Sequence, residues 1–503
     1  MQKPGETASR PSGFSAFPLN LPSPLNMIRR TKIVATLGPS CSDAKTLDRM
    51  MEAGLDVVRL NFSHGVAQDH IDRAELVRSL ARTRGRAVGV LVDLQGPKIR
   101  IGKFKDGKIS LARGDMFVLD AACTLGDQTR VGLDYKDLPN DVSRGVTLLL
   151  DDGRIEFWVE EVKGTEIICK VVQGGVLSNN KGINRKGGGL SASALTEKDI
   201  EDIKTAAALK ADYLAVSFPR SGADMRQARE LLRAAGGRSQ LIAKIERSEA
   251  IENLEEILDA SDAIMVARGD LGVEVGDAAV PALQKRMIRM ALERNKVVIT
   301  ATQMMESMIS SPIPTRAEVS DVANAVLDGT DAVMLSAETA AGQYPLEAVQ
   351  AMDRVCLEAE KEAENIFSGA RLDHSFLRPD EAIAMSAVFT SVHLNIKAIA
   401  SLTESGNTCL WMSRLSTRVP IYALTPQVET RRKVTLFRGV YPINLKTATK
   451  ERDALLSEAE EELRRRGAVR DGDLILLTIG EPIGQSGGTN TMKIVRVGGS
   501  KKS

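Results

Sequence analysis

The stretch LIAKIERSEAIENLEEILDASDAIMVARGD, residues 241–270, contains two short apolar runs with helical spacing between them. Apolar runs of this length that alternate with helical stretches are typical of βαβ units, in which helices join parallel strands. The first run includes Lys244 and Glu246, and the second leads directly into Asp270. The stretch therefore predicts one unit of an α/β fold whose strands end in charged residues.

The same alternation continues on both sides of this stretch and predicts eight strands in all. They are Lys32–Thr36, Asp56–Asn61, Val88–Asp93, Tyr213–Ser217, Leu241–Glu246, Ala263–Ala267, Val297–Thr302 and Ala332–Ser336. Eight parallel strands in this order fit a closed barrel better than an open sheet. The predicted fold class is α/β, with a (β/α)8 TIM barrel built from residues 28–96 and 184–366.

A second, strand-rich segment interrupts the barrel pattern after its third strand. The alternation stops near Gln95 and resumes near Thr196. We expect an inserted all-β domain, a small β-barrel over residues 97–183, which lies at the mouth of the main barrel and serves as a lid. After about Ser368 a new α/β unit begins, with predicted strands near Lys397–Ser401, Ile421–Leu424, Leu474–Ile479 and Lys493–Val497. It predicts a C-terminal α/β regulatory domain over residues 370–503.

The first residues of the chain carry no fold pattern. Residues 1–26 are rich in Pro, Ser and Gly and lack an apolar period, so we expect a disordered extension that ends at about residue 27. A transit peptide is the alternative. It is favoured by the few acidic residues and disfavoured because Lys3 and Arg10 are the only cations of this segment.

Composition and charge exclude several classes of protein. Of the 503 residues, 43 % are apolar and 26 % are charged, as in ordinary globular proteins. Lys plus Arg (67) nearly equal Asp plus Glu (66), so the net charge of +1 predicts no nucleic-acid or membrane partner. The five cysteines form no C-x-x-C pair, and no apolar run approaches the roughly 18 residues of a membrane span. We therefore expect a cytoplasmic protein with reduced thiols.

Polar residues also end most of the other predicted strands. They are Arg59, Asn61, Ser63 and His64 at strand two, Asp93 at strand three, Thr302 at strand seven and Ser336 at strand eight. Barrel enzymes build their active sites from the carboxyl ends of the strands. We therefore expect these side chains to converge with Lys244, Glu246 and Asp270 in one cavity.

The pair Lys244 and Glu246 has two interpretations. Two residues apart on one strand, the side chains share a face and can form a structural ion pair. Alternatively, Glu246 and Asp270 supply hard carboxylate ligands, of the kind that Mg²⁺ or Mn²⁺ takes one or two at a time. The presence of the second carboxylate favours a divalent-metal site.

Three cations at the same mouth suit an anionic substrate. Arg59, Arg100 and Lys244 could bind phosphate and carboxylate groups, and solvated charges at the barrel rim are the alternative. Gly269 lets a backbone N–H approach an anion, although a plain turn glycine is as common. His64 is either a phosphate or nucleotide contact or a structural histidine. The chain has neither a Walker A loop nor a G-x-G-x-x-G fingerprint.

These residues lie in segments that resemble the pyruvate kinase family. The matching segments are TKIVATLGPSC (31–41), VVRLNFSHG (57–65), DLQGPKIR (93–100), NNKGIN (179–184), KIE (244–246), MVARGDLGVE (265–274), ATQMMESMI (301–309), PTRAEVSDVANAVLDGTDAVMLSAET (314–339) and TNTM (489–492). The resemblance covers nearly everything after residue 27. It implies a homotetrameric enzyme of glycolysis that transfers the phosphoryl group of phosphoenolpyruvate to ADP, giving pyruvate and ATP.

The resemblance also implies a role for each site residue. Glu246 and Asp270 would bind Mg²⁺, while Lys244 would stabilise the transferring phosphoryl group and the enolate. The phosphoenolpyruvate site would consist of Arg59, Lys244, Gly269, Asp270 and Thr302. The nucleotide site would consist of Asn61, Ser63, His64, Arg100 and Lys181. The catalytic residues would be Lys244, Arg59, Thr302 and Ser336, of which the last two would belong to the water network that protonates the enolate.

Lys98 departs from the usual pattern of the family. Relatives that require K⁺ usually have Glu at this position and Thr in place of Leu94. Asn61, Ser63, Asp93 and Leu94 would line the monovalent-cation site, and the ammonium of Lys98 would fill it. We therefore expect activity without added K⁺.

The C-terminal domain contains a hydroxyl-rich loop that resembles the effector loop of the family. Thr403, Ser405, Gly406 and Thr408 lie between a strand and a helix, where one phosphate could bind. Capping of the helix by Ser405 is an equal alternative. Glu481, before the last strand, argues against a sugar bisphosphate and leaves a phosphorylated effector with one phosphate open.

Two other functions fit parts of the pattern. A metal-dependent aldolase or lyase also uses barrel carboxylates and an arginine, but the lid insertion and Lys181 argue against it. A catalytically silent metabolite sensor on the same scaffold would be expected to lose Lys244, Glu246 or Asp270. All three residues are present.

Overall fold

A closed barrel of eight parallel strands forms the centre of the protein, as the sequence predicts. The computed structural model describes residues 28–362, 376–446 and 451–499, so the predicted N-terminal extension lies outside the described residues. The first three strands are β1 (Lys32–Thr36), β2 (Val57–Asn61) and β3 (Gly89–Asp93), and helices α1 (Ala44–Glu52) and α2 (Ala67–Thr83) connect them.

An all-β insertion follows β3. Its strands are β4 (Lys108–Leu111), β5 (Met116–Asp120), β6 (Arg130–Val131), β7 (Thr147–Leu150), β8 (Ile155–Lys163), β9 (Glu166–Gln173), β10 (Gly175–Ser178) and β11 (Ile183–Arg185), with one short helix, α3 (Leu138–Asp141). Six strands form a sheet in the order β11-β7-β8-β9-β5-β6, and β10 pairs with β4. They enclose a hydrophobic core of their own that includes Phe117, Phe157 and Ile167. The insertion is therefore a separately packed unit.

The chain returns to the barrel at Thr196, where a capping box starts the next helix. Thr196 Oγ1 accepts a hydrogen bond from Asp199 N at 3.1 Å, and Asp199 Oδ2 accepts one from Thr196 N at 2.9 Å. Such a cap stabilises a helix by about 1 kcal/mol. The other carboxylate oxygen of Asp199 accepts from Gly96 N at 3.1 Å. This one buried side chain therefore ties together the two ends of the insertion.

Helices surround the rest of the barrel. Its strands are β12 (Tyr213–Val216), β13 (Gln240–Ile245), β14 (Ala263–Ala267), β15 (Val297–Ala301) and β16 (Ala332–Leu335). Its helices are α4 (Glu197–Ala208), α5 (Gly222–Ala234), α6 (Ser248–Glu252), α7 (Leu254–Ala260), α8 (Arg268–Val275), α9 (Val280–Glu293), α10 (Arg316–Leu327), α11 (Ala337–Ala340) and α12 (Pro345–Glu362). The strands close in the order β1-β16-β15-β14-β13-β12-β3-β2. Because both faces of a parallel strand are covered, apolar residues fill the strands and polar ones gather at their ends.

The C-terminal domain is a five-stranded α/β unit. Its strands are β17 (Ala398–Leu402), β18 (Ile421–Thr425), β19 (Val440–Asn444), β20 (Leu474–Gly480) and β21 (Thr489–Arg496), and its helices are α13 (Pro379–His393), α14 (Asn407–Arg414), α15 (Val428–Lys433) and α16 (Arg452–Arg465). The strand order is β19-β18-β17-β20-β21. Sequence analysis missed β19 because Pro442 interrupts it, and proline is tolerated here since β19 is an edge strand. None of the described helices is long and apolar enough to cross a membrane.

The C-terminal domain packs against the amino ends of the barrel strands. Lys32, the first residue of β1, donates to the carbonyl of Val440 at 2.6 Å. Arg432 forms an ion pair with Asp212, just before β12, at 2.7 Å. These contacts lie at the end of the barrel opposite to the polar strand ends.

Candidate active site

Lys244 connects three barrel strands at their carboxyl ends. Its Nζ lies 2.8 Å from Glu246 Oε1, 3.4 Å from Asp93 Oδ1 and 2.7 Å from the hydroxyl of Ser217. Burial alone would lower the pKa of Lys244, but the carboxylates of Asp93 and Glu246 outweigh it and raise the pKa above its ordinary value. The ammonium is therefore firmly charged and held among groups that the sequence analysis expected to converge.

Arg59 shares Asp93 with Lys244. Its Nε and Nη2 both lie 2.7 Å from Asp93 Oδ2, and its Nη1 donates to Thr36 Oγ1 at 3.0 Å. Burial would raise the pKa of Asp93, yet the charges of Lys244 and Arg59 hold it below its ordinary value. Asp93 is thus an ionised side chain that orients the two cations.

Sequence analysis assigned no role to Thr36 and Ser217. Thr36 ends β1 and receives the hydrogen bond from Arg59, while Ser217 follows β12 and receives the one from Lys244. Thr36 and Ser217 are the last residues of two predicted strands. The rule that polar residues at the carboxyl ends of barrel strands form the site would therefore have identified them too.

Glu246 and Asp270 form the acidic part of the site. Glu246 is 2 % exposed, and its Oε2 accepts a hydrogen bond from Phe218 N at 2.8 Å. Burial raises the pKa of Glu246; the charge of Lys244 opposes this rise, and the charge of Asp270 adds to it. Two carboxylates that repel each other in this way favour a cation between or beside them.

This donor set fits a divalent ion. Within the described ranges, no group of three or more acidic, His or Cys side chains is arranged so that it alone could hold a metal ion. Mg²⁺ does not need such a group, because it is usually bound through one or two carboxylates and completes its shell with water and substrate phosphates. Glu246 and Asp270 meet that requirement.

Thr302 lies in a strained turn after β15. Its φ is +65° and that of Gln303 is +54°, in the left-handed region that β-branched residues rarely adopt and that costs roughly 1–3 kcal/mol. Thr302 Oγ1 accepts from Gly269 N at 2.9 Å and donates to the carbonyl of Ala301 at 2.6 Å. The N–H of Gly269 is therefore directed to Thr302 in this structure.

Arg268 holds this turn, and the sequence analysis gave it no role of its own. It donates to the carbonyl oxygens of Ala301 at 3.2 Å and Thr302 at 2.7 Å, and it forms an ion pair with Asp321 at 2.7 Å. Its place in the R-G-D motif marked it as polar, but only the structure relates it to the loop after β15. Arg268 is a positioning residue for Thr302.

Ser336 directly follows β16 and lies beside another buried carboxylate. Its backbone N–H donates to Glu338 Oε2 at 2.7 Å, and Glu338 Oε1 accepts from Met305 N at 3.2 Å. Glu338 therefore links the loops that carry Ser336 and Thr302. For the side-chain hydroxyl of Ser336, the described residues provide no hydrogen-bond partner.

The residues predicted to bind nucleotide come from two parts of the chain. On the barrel, Asn61 Oδ1 accepts from Ser63 N at 3.1 Å, and the exposed His64 contributes its carbonyl to His70 at 2.9 Å. On the insertion side, Arg100 donates to the carbonyl of Asn180 at 3.0 Å, and Lys181 pairs with Asp151 at 2.6 Å. Among the described residues, no hydrogen bond or ion pair joins these two groups.

Lys98 bridges the barrel and the insertion. Its Nζ lies 2.9 Å from Asp270 Oδ1 and 3.9 Å from Asp152 Oδ1. Burial would lower the pKa of Lys98, but Asp270 reverses this and raises it.

The ammonium of Lys98 lies at Asp270 in this structure, and its predicted place among Asn61, Ser63 and Asp93 stays a prediction. The ammonium makes no ion pair with Asp93 within 4.0 Å among the described residues. Asp93 is already neutralised by Arg59 and Lys244, whereas Asp270 pairs with no other described cation. Leu94 is buried, and its carbonyl accepts from Ser217 at 2.7 Å.

The buried carboxyl group of Glu274, in the helix that contains Asp270, should make the free energy of unfolding depend on pH. It is 4 % exposed and accepts from Ser248 N at 3.0 Å, and burial raises its pKa from 4.5 to about 7. Between these values the folded chain binds more protons than the unfolded chain, so the free energy of unfolding should fall as the pH rises from 4.5 to 7. At about 1.4 kcal/mol per pKa unit, the loss should reach roughly 3 kcal/mol.

The variant Glu274→Gln should lack this loss, which urea unfolding at about pH 5 and pH 8 would measure. Asp277→Asn, a change of an exposed carboxylate on the next turn, is the matched control and should keep the slope of the wild type. Equal slopes for Glu274→Gln and the wild type would contradict the assignment.

Fold and site together define a barrel enzyme whose strand ends bring buried cations and carboxylates together in one place. The family described as "Pyruvate kinase, barrel domain" matches residues 28–349, and that described as "Pyruvate kinase, alpha/beta domain" matches residues 381–495. Pyruvate kinase II of Salmonella typhimurium is 53 % identical over 478 residues, which cover 93 % of this chain and 99 % of the relative. The pyruvate kinase of Haemophilus influenzae is 54 % identical over 459 residues, covering 90 % and 96 %. That of Mycobacterium intracellulare is 44 % identical over 474 residues, covering 94 % and 99 %.

The chain belongs to the pyruvate kinase family. It is a phosphotransferase of glycolysis that transfers the phosphoryl group of phosphoenolpyruvate to ADP and produces pyruvate and ATP. Enzymes of this family use a divalent metal ion.

Proposed function

We propose that the residues around Lys244 carry out this phosphoryl transfer. The single observation that supports the proposal best is the contact of one ammonium with Asp93 and Glu246, with Asp270 as the next carboxylate. Arg59 and Lys244 suit the phosphate and carboxylate of phosphoenolpyruvate. Glu246 and Asp270 suit Mg²⁺ or Mn²⁺.

Each residue then has a defined part in the reaction. Glu246 and Asp270 would hold the divalent ion, which supplies positive charge to the substrate phosphate. Arg59, kept in place by Asp93, binds the phosphoryl group. Lys244 faces the negative charge that develops on the phosphoryl oxygens and on the enolate.

The reaction exchanges one phosphorus–oxygen bond for another. The bond between phosphorus and the enol oxygen breaks while phosphorus bonds to a terminal ADP oxygen, and the resulting enolate takes a proton on carbon to give pyruvate. Thr302 and Ser336 are proposed to belong to the water network that supplies this proton. The strain of Thr302, which Arg268 maintains, supports a functional reason for its conformation.

The nucleotide is proposed to bind between the barrel loop and the insertion. Asn61, Ser63 and His64 approach from the barrel, and Arg100 and Lys181 from the insertion. Lys98 forms ion pairs with Asp152 on the insertion and with Asp270 on the barrel. These pairs support the proposal that cations between the barrel and the insertion hold the two units together. The insertion would then close over the substrates as a lid and exclude water.

Titration with metal tests the two carboxylates. Glu246→Gln and Asp270→Asn should each raise the Mg²⁺ concentration for half-maximal pyruvate formation by at least about 10- to 100-fold. Calorimetric titration with Mn²⁺ should show the same loss of affinity without any turnover. Asp277→Asn again serves as the control with one carboxylate removed. Unchanged Mn²⁺ affinity in both site variants would refute the metal assignment.

The effector loop stays a proposal for one phosphate. Thr403 Oγ1 accepts from Gly406 N at 2.9 Å, and Thr408 Oγ1 lies 2.8 Å from that of Thr489. A cavity of about 90 Å³ beside Ser405 is lined by these hydroxyl-bearing residues and by no lysine or arginine. A phosphate there would rely on backbone N–H groups and hydroxyls. The homotetramer and the cytoplasmic location likewise stay predictions.

A further inference from the structure

Ser217 lies between the side chain of Lys244 and the segment by which the chain leaves β3 for the insertion. We call this segment, residues 94–96, the entry segment. Ser217 directly follows β12 and is buried. Its hydroxyl oxygen lies 2.7 Å from Lys244 Nζ and 2.7 Å from the carbonyl oxygen of Leu94. One side chain therefore contacts both the ammonium of the candidate active site and the backbone that leads into the insertion.

The chemistry of these three groups fixes the direction of both hydrogen bonds. A hydroxyl has one proton to donate, an ammonium can only donate, and a carbonyl oxygen can only accept. Ser217 must therefore donate to the carbonyl of Leu94 and accept from Lys244. Because the hydroxyl proton points at Leu94, the lone pairs of the oxygen are held in a fixed orientation toward the ammonium.

This hydroxyl makes the shortest of the three polar contacts of Lys244. The ammonium has three protons, and its other two partners are Glu246 Oε1 at 2.8 Å and Asp93 Oδ1 at 3.4 Å. A carboxylate offers about four lone-pair sites and so accepts from a range of directions. The two carboxylates hold the charge near them, whereas the oriented hydroxyl of Ser217 defines where Nζ lies.

The entry segment also packs directly against Ser217. Gly96 has a φ of +67°, and its N–H donates to the buried carboxylate of Asp199 at 3.1 Å. A Cβ atom at Gly96 would lie 2.7 Å from Ser217 Cβ, closer than two such carbons can approach. Glycine therefore suits this position for its conformation and for the close contact. A displacement of the entry segment would displace Ser217 as well.

The residue after Ser217 supports the acidic part of the same site. Phe218 has a φ of +56°, which is rare for a large side chain, and its N–H donates to Glu246 Oε2 at 2.8 Å. Such conformations persist where the surrounding structure enforces them, and they are frequent at functional sites. The turn after β12 thus holds Lys244 through a side chain and Glu246 through the backbone.

We propose that Ser217 is a positioning residue for phosphoryl transfer, which sets the place of Lys244 Nζ and connects it to the entry segment of the insertion. The inference rests on the role proposed above for Lys244. A movement of the insertion that shifts the entry segment reaches the ammonium through the hydrogen bond from Ser217 to Leu94 and through the contact with Gly96. A closing lid would then place the catalytic cation and not only exclude water. A misplacement of about 1 Å can lower a rate roughly 10²-fold.

Steady-state kinetics of Ser217→Ala test the positioning of Lys244. The kcat for pyruvate formation should fall at least about tenfold, while KM for phosphoenolpyruvate and for ADP should change less than about threefold. Unchanged KM values would also show that the variant is folded. Ser239→Ala is the matched control, because Ser239 is likewise buried beside a barrel strand and donates to a carbonyl, that of Ala211, at 2.6 Å. It should keep the kcat of the wild type.

A double variant separates positioning from a general structural role. When Ser217→Ala is added to Lys244→Met, kcat should fall by less than about twofold, since a residue that acts through the ammonium has no effect once the ammonium is gone. Gly96→Ala places a Cβ against Ser217 and should lower kcat at least about fivefold. Gly107→Ala introduces alanine at a similar φ of +77° with no atom within 4 Å, and it should leave kcat unchanged.

Four results would overturn the inference. They are a normal kcat in Ser217→Ala, an equal loss in Ser239→Ala, a further large loss when Ser217→Ala is added to Lys244→Met, and equal kcat values for Gly96→Ala and Gly107→Ala. Near-normal turnover of Lys244→Met would overturn the proposed function itself. Loss of turnover in Lys244→Met together with a normal Ser217→Ala would overturn the positioning role alone.

Discussion

Replacing Lys244 by methionine is expected to lower kcat for pyruvate formation by about 10³-fold or more. The ammonium is the cation that Asp93 and Glu246 hold at the mouth of the barrel, and methionine keeps its length while removing its charge. No other described lysine contacts both carboxylates, so nothing replaces it. Steady-state kinetics at saturating phosphoenolpyruvate, ADP and Mg²⁺ would measure the loss.

Lys32→Met is the matched control for this experiment. Lys32 is likewise a buried lysine on a barrel strand, 2 % exposed, but it lies at the amino end and donates to Val440 O. Each variant should lose stability, by about 3 kcal/mol for Lys244→Met because the buried carboxylate of Glu246 is left without a cation. Only Lys244→Met should lose turnover. Near-normal kcat in Lys244→Met, or an equal loss in Lys32→Met, would refute the catalytic assignment.

The architecture could be predicted from the chain because its strands follow a simple rule. Parallel strands that are covered on both faces must be apolar throughout, so the polar residues at their ends stand out in the sequence. Lys244 and Glu246 are an example, since two polar residues in an otherwise apolar strand have no reason to be there except at its end. The predicted eight strands each correspond to a strand of the closed barrel.

The details that escaped the sequence depend on pairing between distant residues. Arg268 and Asp321 are far apart in the chain, and no local pattern indicates that together they fix the turn at Thr302. The strand β19 was missed because Pro442 argues against a strand unless its edge position is known.

Lys98 pairs with Asp270 because the other carboxylate near it in the prediction, Asp93, is already paired with two cations. Sequence analysis placed its ammonium beside Asp93, but Arg59 and Lys244 already neutralise that carboxylate. Asp270 has no other cationic partner among the described residues, and Lys98 pairs with it. The expectation of K⁺-independent activity does not depend on which of the two positions it takes. Activity without K⁺ requires a permanent positive charge at the mouth of the barrel, and Lys98 supplies this charge.

Lys98→Glu should therefore make activity depend on K⁺, whereas the wild type is expected to be active without it. The new carboxylate would join Asp152, Asp270 and Glu246, so repulsion should suppress activity until a monovalent cation enters. The wild type should be equally active in KCl and NaCl at fixed ionic strength, whereas the variant should be at least about tenfold more active in KCl. Lys103→Glu makes the same charge change at an exposed position of the insertion and should leave the enzyme indifferent to K⁺. Strong activation of the wild type by K⁺ would show that the charge of Lys98 does not replace the ion.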